Sequence, residues 1–172
     1  MVSNCPNSQS NNFTHMFDFV DLRGKPVAKI PDKNSLMEFI NNTPEFSKFK
    51  YIVEKAMMSD ILGSMQTNAT LFIPFDNEIS NLEDFFFRDM DVSLARHIVK
   101  SSMLNKKIPS ELLEDSPLLI FNTNNPYNKL LITNINGETY IDNNIKIIQK
   151  DNITSNGIIH VIDNLIWPEY NI

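Results

Sequence analysis

The C-terminal stretch from Asn156 to Pro168 constrains the fold more than any other part of the chain. Asn156-Gly157 predicts a turn because both residue types tolerate positive φ, and Pro168 marks the far end because it has no N–H for a sheet. The segment between them has the length of a strand and is rich in β-branched residues. We therefore predict a strand near the C-terminus, so that the fold closes when its last segment is inserted.

Both faces of this predicted strand are apolar, which indicates that both are covered and that the strand is central in its sheet. His160 would then lie among isoleucines, where we expect a neutral histidine that is hydrogen-bonded in the core. The first face carries Ile158, His160, Ile162 and Ile166, and the second carries Ile159, Val161, Leu165 and Trp167.

The same stretch resembles the second signature of the fasciclin-like (FAS1) domain family. An upstream segment resembles the first signature, with an apolar strand, a proline and a polar residue that can cap the next helix. Two matched motifs at a family-like separation make the resemblance specific. The matching positions are Thr70, Phe72, Pro74 and Asp76 in the first signature, and Asn156, Gly157, His160, Val161, Asp163 and Pro168 in the second.

The resemblance implies an α+β fold, a wedge-like two-sheet β-sandwich with helices packed on it, and a non-catalytic adhesive or interaction role. It covers residues 34–168. Residues 1–33 are predicted to be an N-terminal arm with a short β-hairpin over residues 16–30, in which Phe17 and Phe19 share a face, and residues 169–172 a C-terminal tail. The arm is a candidate for docking on neighbouring subunits.

Helices are predicted in the first half of the domain and a β-meander in its last third, which indicates α+β organisation. Ser35 and Glu38 form a capping box, and Asn136-Gly137 is the strongest hairpin signal. Thr43-Pro44 begins a helix with an apolar stripe. That stripe comprises Phe46, Phe49, Ile52, Val53, Ala56 and Met57, with Met57 and Met58 expected to fill the core.

Composition excludes several classes of function. The chain has 172 residues, a net charge of −6 and no Lys/Arg cluster. This charge pattern argues against a surface that binds nucleic acids or anionic membranes. Cys5 is the only cysteine, so no internal disulfide can form. No apolar run could span a bilayer and no secretory signal precedes the domain, so an intracellular or virion-associated location is favoured over secretion.

No pattern in the sequence predicts catalysis, a cofactor or a metal site. His15, His97 and His160 do not have metal-motif spacing. The adjacent carboxylates Glu83-Asp84 and Glu114-Asp115 do not face each other on a helix, so we interpret them as solvated surface.

The candidate contact residues are aromatic. Phe85, Phe86 and Phe87 point about 100° apart on a helix, so one face cannot bury all three, and at least one must meet another element or a partner. Phe17, Phe19 and Tyr127 complete the set of candidates.

The family pattern is incomplete at its adhesive positions. By position, Ser101-Ser102 stands where adhesive relatives carry a Tyr-His pair implicated in integrin contact, and an alternative alignment places Arg96-His97 there but lengthens the gap to the next matching segment. Phe75 also replaces the usual threonine after the proline. Asp60-Ile61 matches the family's Asp-Ile adhesion motif only weakly, and we interpret these two residues as packing residues of a helical turn. Integrin binding therefore does not carry over with the fold.

Three hypotheses follow for function, and in each of the first two the partners are other proteins. The first is a non-catalytic protein–protein interaction module of adhesion type. The alternative is a minor structural protein of a large DNA virus particle, which docks through its N-terminal arm. The third is an enzyme or small-ligand carrier, which would require a concave pocket with shifted titratable groups.

Overall fold

This computed structural model describes residues 30–169, and the residues from Pro31 onward form one compact unit. Phe17, Phe19 and the rest of the predicted arm up to residue 29 lie outside the described residues, as do residues 170–172. Asp32 and Lys33, which the sequence assigned to the arm, hydrogen-bond to the domain. The N–H of Asp32 donates to the carbonyl of Gly63 at 2.8 Å, and the hydroxyl of Ser155 donates to the carbonyl of Lys33 at 3.1 Å.

Six short helices precede or interrupt the sheet. They are α1 (Leu36–Asn41), α2 (Ser47–Lys55), α3 (Ser59–Leu62), α4 (Asp84–Asp89), α5 (Val92–Ser101) and α6 (Ser110–Leu113), with 3₁₀ turns at Pro44–Phe46 and Asp76–Ile79. The predicted capping box is confirmed, because the Ser35 hydroxyl accepts from the N–H of Glu38 at 3.2 Å. The Glu38 carboxylate accepts in turn from the N–H of Asn34 at 2.8 Å, so two donors at the start of α1 are satisfied.

The strands form a seven-stranded sheet in which the C-terminal strand is central, as predicted. The strands are β1 (Ala69–Pro74), β2 (Met103–Leu104), β3 (Leu118–Asn122), β4 (Lys129–Ile135), β5 (Glu138–Ile141), β6 (Ile145–Ile153) and β7 (Gly157–Ile162). Their order is β2-β1-β7-β6-β5-β4-β3. β7 pairs in parallel with β1 from Ala69↔Gly157 to Pro74↔Ile162, and antiparallel with β6 on its other side.

Two hydrophobic cores lie on the two faces of β1 and β7, and together they make the fold sandwich-like. The first core joins α1, α2 and α5 to the face that carries Leu71 and Val161. The second core brings Phe72 and Ile162 against Ile132 of β4, so the sheet curls over itself. β6 makes this curl possible, because Ile145 and Lys146 pair with β5 while the residues from Ile147 to Ile153 pair with β7, with two register shifts along that pairing. The predicted α+β class, with helices packed on a sandwich-like sheet, is confirmed.

The two Asn-Gly pairs, both predicted as turns, have different roles. Asn136 and Gly137 have φ of 53° and 81° and connect β4 to β5 as a tight hairpin. The chain does turn beside Asn156-Gly157, where the N–H of Thr154 donates to the carbonyl of Gly157 at 2.9 Å between β6 and β7, but neither Asn156 nor Gly157 has the positive φ on which the prediction rested. A Cβ on Gly157 would lie 2.3 Å from the carbonyl oxygen of Ala69 and 2.8 Å from Cδ1 of Leu36, which means that glycine is needed there for close packing.

Asn156 is buried and joins three segments of the chain. Its side-chain oxygen accepts from the N–H of Leu36 at 2.7 Å, at the start of α1. Its side-chain nitrogen donates to the carbonyls of Leu62 at 3.0 Å and Ser64 at 2.8 Å, at the end of α3. One amide side chain therefore bonds to backbone groups at the start of α1 and at the end of α3.

Two residues lie outside the core positions that the sequence predicted. Met57 is exposed, because α2 ends at Lys55 and Met57 takes a left-handed φ of 58° that turns it off the apolar face. Trp167 is also partly exposed, because β7 ends at Ile162 and Asp163 leads into a non-strand segment. Met58, Leu165 and Ile166 are buried as predicted.

The glycines at 137 and 157 give a test of this steric account. We expect Gly157→Ala to destabilise the domain by about 3 kcal/mol, because overpacking against a backbone carbonyl cannot relax through a side chain. Gly137→Ala meets no atom within 4 Å and should cost only the strain of its positive φ, about 1–2 kcal/mol. Urea denaturation measures both.

Asparagine substitution separates the two mechanisms further, because asparagine tolerates positive φ but is bulky. Gly137→Asn should lie close to wild type, whereas Gly157→Asn should be at least as damaging as Gly157→Ala. Equal effects at the two sites would contradict the close-packing role of Gly157.

Candidate protein-contact surface

Thr70 and His160, one from each family signature, hold the loop between β2 and α6. The hydroxyl of Thr70 donates to the carbonyl of Lys106 at 2.6 Å and accepts from the N–H of Ile108 at 2.8 Å. His160 contacts the carbonyl of Ile108 through Nε2 at 2.8 Å. Both side chains are fully buried, so the signature positions on this face anchor a loop and do not reach solvent.

The hydrogen bonds of His160 define its tautomer. Nδ1 accepts from the N–H of Asp151 at 3.2 Å, and the carbonyl of Ile108 can only accept, so Nε2 carries the proton. Burial lowers the pKa of His160 below its ordinary value of 6.5. A second proton would also break the bond from Asp151, so the neutral ring is the form that the fold holds.

Ser110, Asp151 and His160 lie close together but do not form a catalytic triad. The N–H of Ser110 donates to Asp151 at 2.8 Å and its hydroxyl donates to the same carboxylate, so the serine is not bonded to the histidine. Burial raises the pKa of Asp151, but the two hydrogen bonds from Ser110 outweigh burial and lower it overall. A triad needs the imidazole between the hydroxyl and the carboxylate, and here the carboxylate instead caps α6.

Asp76 of the first signature also caps a helix, although not the one predicted. The sequence predicted a cap on the helix that follows Asp76, but Asp76 is itself the first residue of the 3₁₀ turn there. Its carboxylate instead accepts from the hydroxyl of Ser47 at 2.5 Å and from the N–H of Lys48 at 2.8 Å. Those atoms belong to the start of α2, which has no side-chain cap of its own.

A buried polar network connects the loop around Asn125 and Asn128 to α5 and to the C-terminal segment. The side-chain oxygen of Asn128 accepts from the hydroxyl of Ser101 at 2.7 Å, from Nδ2 of Asn125 at 2.9 Å and from the N–H of Glu169 at 2.9 Å. Sequence reasoning missed this network because the burial of Asn125 and Asn128 has no local signal. Ser101 and Ser102, which the preferred alignment places at the family's Tyr-His pair, are fully buried and present no side chain to a partner.

The three predicted contact phenylalanines of α4 have three different environments. Phe87 is buried in the first core, and Phe86 is half-buried with its ring edge-on to Trp167 at 5.4 Å. Phe85 is 53% exposed, and Trp167 is 47% exposed. We call Phe85, Phe86 and Trp167 the aromatic surface.

Tyr127 is exposed in a loop that is hydrogen-bonded to the C-terminal segment that contains Trp167. Its N–H donates to the side-chain oxygen of Asn125 at 3.0 Å, and the neighbouring Asn128 bonds to Glu169, two residues after Trp167. The loop and the C-terminal segment are thus held by the same network.

A cleft of about 680 Å³ lies beside the first core, lined by Phe46, Phe75, Asp76 and neighbouring residues. Phe75 stacks on Phe46 with ring centroids 5.2 Å apart, so the residue that departs from the family pattern packs on the helical layer. The cleft is open to solvent, and the Asp76 carboxylate in its wall is already bonded to the start of α2.

Asp60 and Ile61 are both exposed on α3, so their interpretation as packing residues is wrong. Leu62 is the buried residue of that turn, because a helix of four residues turns only one side chain fully inward. Between residues 30 and 169, no group of three or more potential metal ligands is present. No helix in the same range is long and apolar enough to cross a membrane.

The pH dependence of stability tests the state of His160. Because its pKa is lower in the folded than in the unfolded state, the unfolded chain binds a proton first as pH falls below 6.5. The free energy of unfolding should therefore decrease from pH 7 to pH 5, by at most about 1.4 kcal/mol per pH unit.

His160→Gln should be less stable at pH 7.5 and should have a flatter profile over this range, as measured by urea denaturation. Ile153→Gln, at a 65% exposed position on β6, is the matched control, because it leaves every histidine in place and should keep the wild-type slope. A slope that survives in His160→Gln would contradict the buried neutral ring.

Comparisons with known proteins agree with this geometry. Human periostin is 26% identical over 145 residues, which cover 80% of this chain and 16% of periostin. A FAS1 domain pair from the insect cell adhesion molecule Fasciclin I superposes with a TM-score of 0.63 at 20% identity, over 90% of this chain and 58% of that one. The chain therefore spans a small part of periostin and just over half of the domain pair.

These comparisons lend no support to the virion role or to the preference for an intracellular location that the sequence suggested. The family described as the fasciclin domain matches residues 44–168, which include both signatures, most of the helices and the whole sheet. On that match, the chain belongs to the fasciclin (FAS1) domain family.

Proposed function

We propose that this domain is a non-catalytic protein–protein interaction module of adhesion type, and that the aromatic surface is its contact site. The main observation in support is that Phe85 and Trp167 are large aromatic side chains, each about half exposed to solvent beside a packed core. Exposed aromatic residues on a rigid frame are typical of interface hot spots, because they offer contact area at little entropic cost.

The rigidity of this surface comes from the core beneath it. Phe86 contacts Phe87 edge-on at 5.2 Å and Trp167 at 5.4 Å, and Phe87 is buried against the first core. Trp167 follows directly on the buried Leu165 and Ile166. A partner that binds here therefore does not have to order the site first.

The environments of the reactive side chains support an interaction role over catalysis. His160 is committed to two backbone groups, and Asp151 and Asp76 are committed to the starts of α6 and α2. Each of these groups would lose a structural bond if it moved a proton or coordinated a substrate. A contact role uses only what the surface exposes.

The adhesion character of the proposal rests on the family and on the cell adhesion molecule that shares the fold. The contact differs from the one that the Tyr-His pair provides in adhesive relatives, because Ser101 and Ser102 are buried here. We therefore propose partners that accept an aromatic surface, and we do not propose integrin binding.

Cell attachment to the immobilised domain tests this proposal. We expect the wild-type domain to retain cells above an albumin-coated surface, and Phe85→Ser and Trp167→Ser each to reduce attachment by at least tenfold, which corresponds to about 1.4 kcal/mol. Leu112→Ser is the matched control, because Leu112 is 49% exposed on α6 and should not affect attachment.

Thermal denaturation of all three variants separates contact from folding, since substitution of half-exposed residues should leave the melting temperature within a few degrees of wild type. Attachment that is unchanged in both aromatic variants would contradict the proposed site. Attachment equal to the albumin surface in the wild type would contradict the adhesive role itself.

A further inference from the structure

The sheet has one open edge, formed by β3. β3 is last in the strand order and pairs only with β4 among the strands that the structure describes. The N–H of Asn134 donates to the carbonyl of Pro117 at 3.1 Å, and the N–H of Thr123 donates to the carbonyl of Asn128 at 3.3 Å. These two bonds fix the alternation of the ladder. The backbone N–H and C=O groups of the odd-numbered residues of β3 therefore point toward β4, and those of the even-numbered residues point away from it.

Leu118, Ile120 and Asn122 therefore present their N–H and C=O groups at the open edge. The structure gives these backbone groups no hydrogen-bond partner among residues 30–169. The opposite edge is formed by β2, which has only two residues. There the N–H of Asn124 donates a hydrogen bond to the carbonyl of Met103 at 2.8 Å. Within residues 30–169, the β2 edge thus has a hydrogen-bond partner from its own chain and the β3 edge has none.

The side chains of β3 do not protect this edge. Natural edge strands are protected by charged residues, prolines or bulges, yet β3 has no charged residue over its five positions. Leu118 and Ile120 are exposed, at 55% and 64%. Ile120 is paired with Leu131 of β4, and Ile135 is exposed further along β4, so the apolar face continues onto the next strand.

We propose that β3 pairs with β3 of a second copy of this chain, in an antiparallel arrangement centred on Ile120. In this register Ile120 lies opposite its own equivalent, and Leu118 lies opposite Asn122 at both ends. Three residue pairs with two hydrogen bonds each give six backbone bonds. If the centre shifts to Leu119 or Phe121, only two such residue pairs remain. The register centred on Ile120 therefore satisfies the largest number of backbone N–H and C=O groups at this edge.

Charge favours a second copy in this orientation. Asp115 is exposed just before β3, and Lys129 is exposed opposite Asn122 at the other end of the strand. Antiparallel pairing brings the acidic end of one copy to the basic end of the other, whereas parallel pairing would bring like charges together.

The single open edge also determines the size of the assembly. Each copy has one free edge, so two copies use both and the contact closes as an isologous dimer and not as a fibre. A five-residue strand is a small interface beside the roughly 1,200–2,000 Å² that stable complexes bury, so we expect a monomer–dimer equilibrium that depends on concentration. This contact does not involve the aromatic surface and does not depend on the function proposed for it.

Sedimentation velocity over a wide concentration range tests the dimer. The wild-type chain should shift from monomer to dimer, and Ile120→Lys should remain monomeric because a charge would face its own equivalent across the pair. Ile153→Lys is the matched control, because Ile153 is 65% exposed but lies on β6, paired with β7, and this variant should dimerise like wild type. Leu118→Lys is a second edge variant, should Ile120→Lys fail to fold.

Disulfide trapping tests the register. In a Cys5→Ser background, which removes the only cysteine, Ile120→Cys should cross-link two copies under mild oxidation. Opposed residues in a hydrogen-bonded antiparallel pair have Cα atoms about 5.5 Å apart, within disulfide range. Ile153→Cys in the same background should not cross-link above its monomer level.

Several outcomes would overturn the proposal. They are a wild-type chain that stays monomeric throughout, an Ile120→Lys variant that dimerises like wild type, or cross-linking that is equal at positions 120 and 153. Protection of the β3 amides from hydrogen exchange only after another protein is added would also overturn it, and would assign the edge to a foreign strand.

Discussion

The parallel pairing of β7 with β1 is the contact on which the rest of the structure depends. It joins residues 157–162 to residues 69–74 and separates the two hydrophobic cores. β7 is buried along its whole length, so its insertion removes apolar surface from water on both faces. It also buries Asn156 and His160, whose polar atoms would each cost about 1–3 kcal/mol if left unsatisfied. Their partners come from distant segments, so the strand fits only when those segments are in place.

Long-range caps explain the identities of Asp76 and Asn156 in the two signatures and of Asp151 outside them. Asn156 bonds to the N–H of Leu36 at the start of α1, and Asp76 and Asp151 bond to the starts of α2 and α6. α2 and α6 have no side-chain cap from their own N-cap residue. Short helices are marginal alone, so a cap supplied from the sheet both stabilises the helix and fixes its position. In this way a few polar side chains determine how the helical layer sits on the sheet.

Much of this fold could be predicted because its signals are local or periodic. The capping box at Ser35 and Glu38, the hairpin at Asn136-Gly137 and the two apolar faces of β7 can each be recognised from a few neighbouring residues. The errors arose where a local pattern had a non-local cause. The chain turns beside Asn156-Gly157 as predicted but without positive φ, because the glycine is required by the carbonyl of Ala69 and the asparagine by two helix ends.

The candidate surface was predictable only in part, for a similar reason. Helical geometry indicates that Phe85, Phe86 and Phe87 cannot share one environment, but it does not say which ring is exposed. The exposure of Trp167 depends on where β7 ends, and the burial of Asn128 depends on Ser101 and Glu169. The open edge of β3 depends on the strand order, which no local pattern encodes. Residues that act at a surface are therefore harder to assign from sequence than those that build the core.

Native-state hydrogen exchange tests the central role of β7 most directly. If β7 is the strand that closes the domain, the amides of β1 and β7 should exchange only through global unfolding, with protection equal to the free energy of unfolding from urea denaturation. Amides of α3 and α6, at the ends of the layered structure, should exchange through smaller openings. Exchange of the β7 amides at a free energy well below the global value, while β3 to β5 stay protected, would contradict the account.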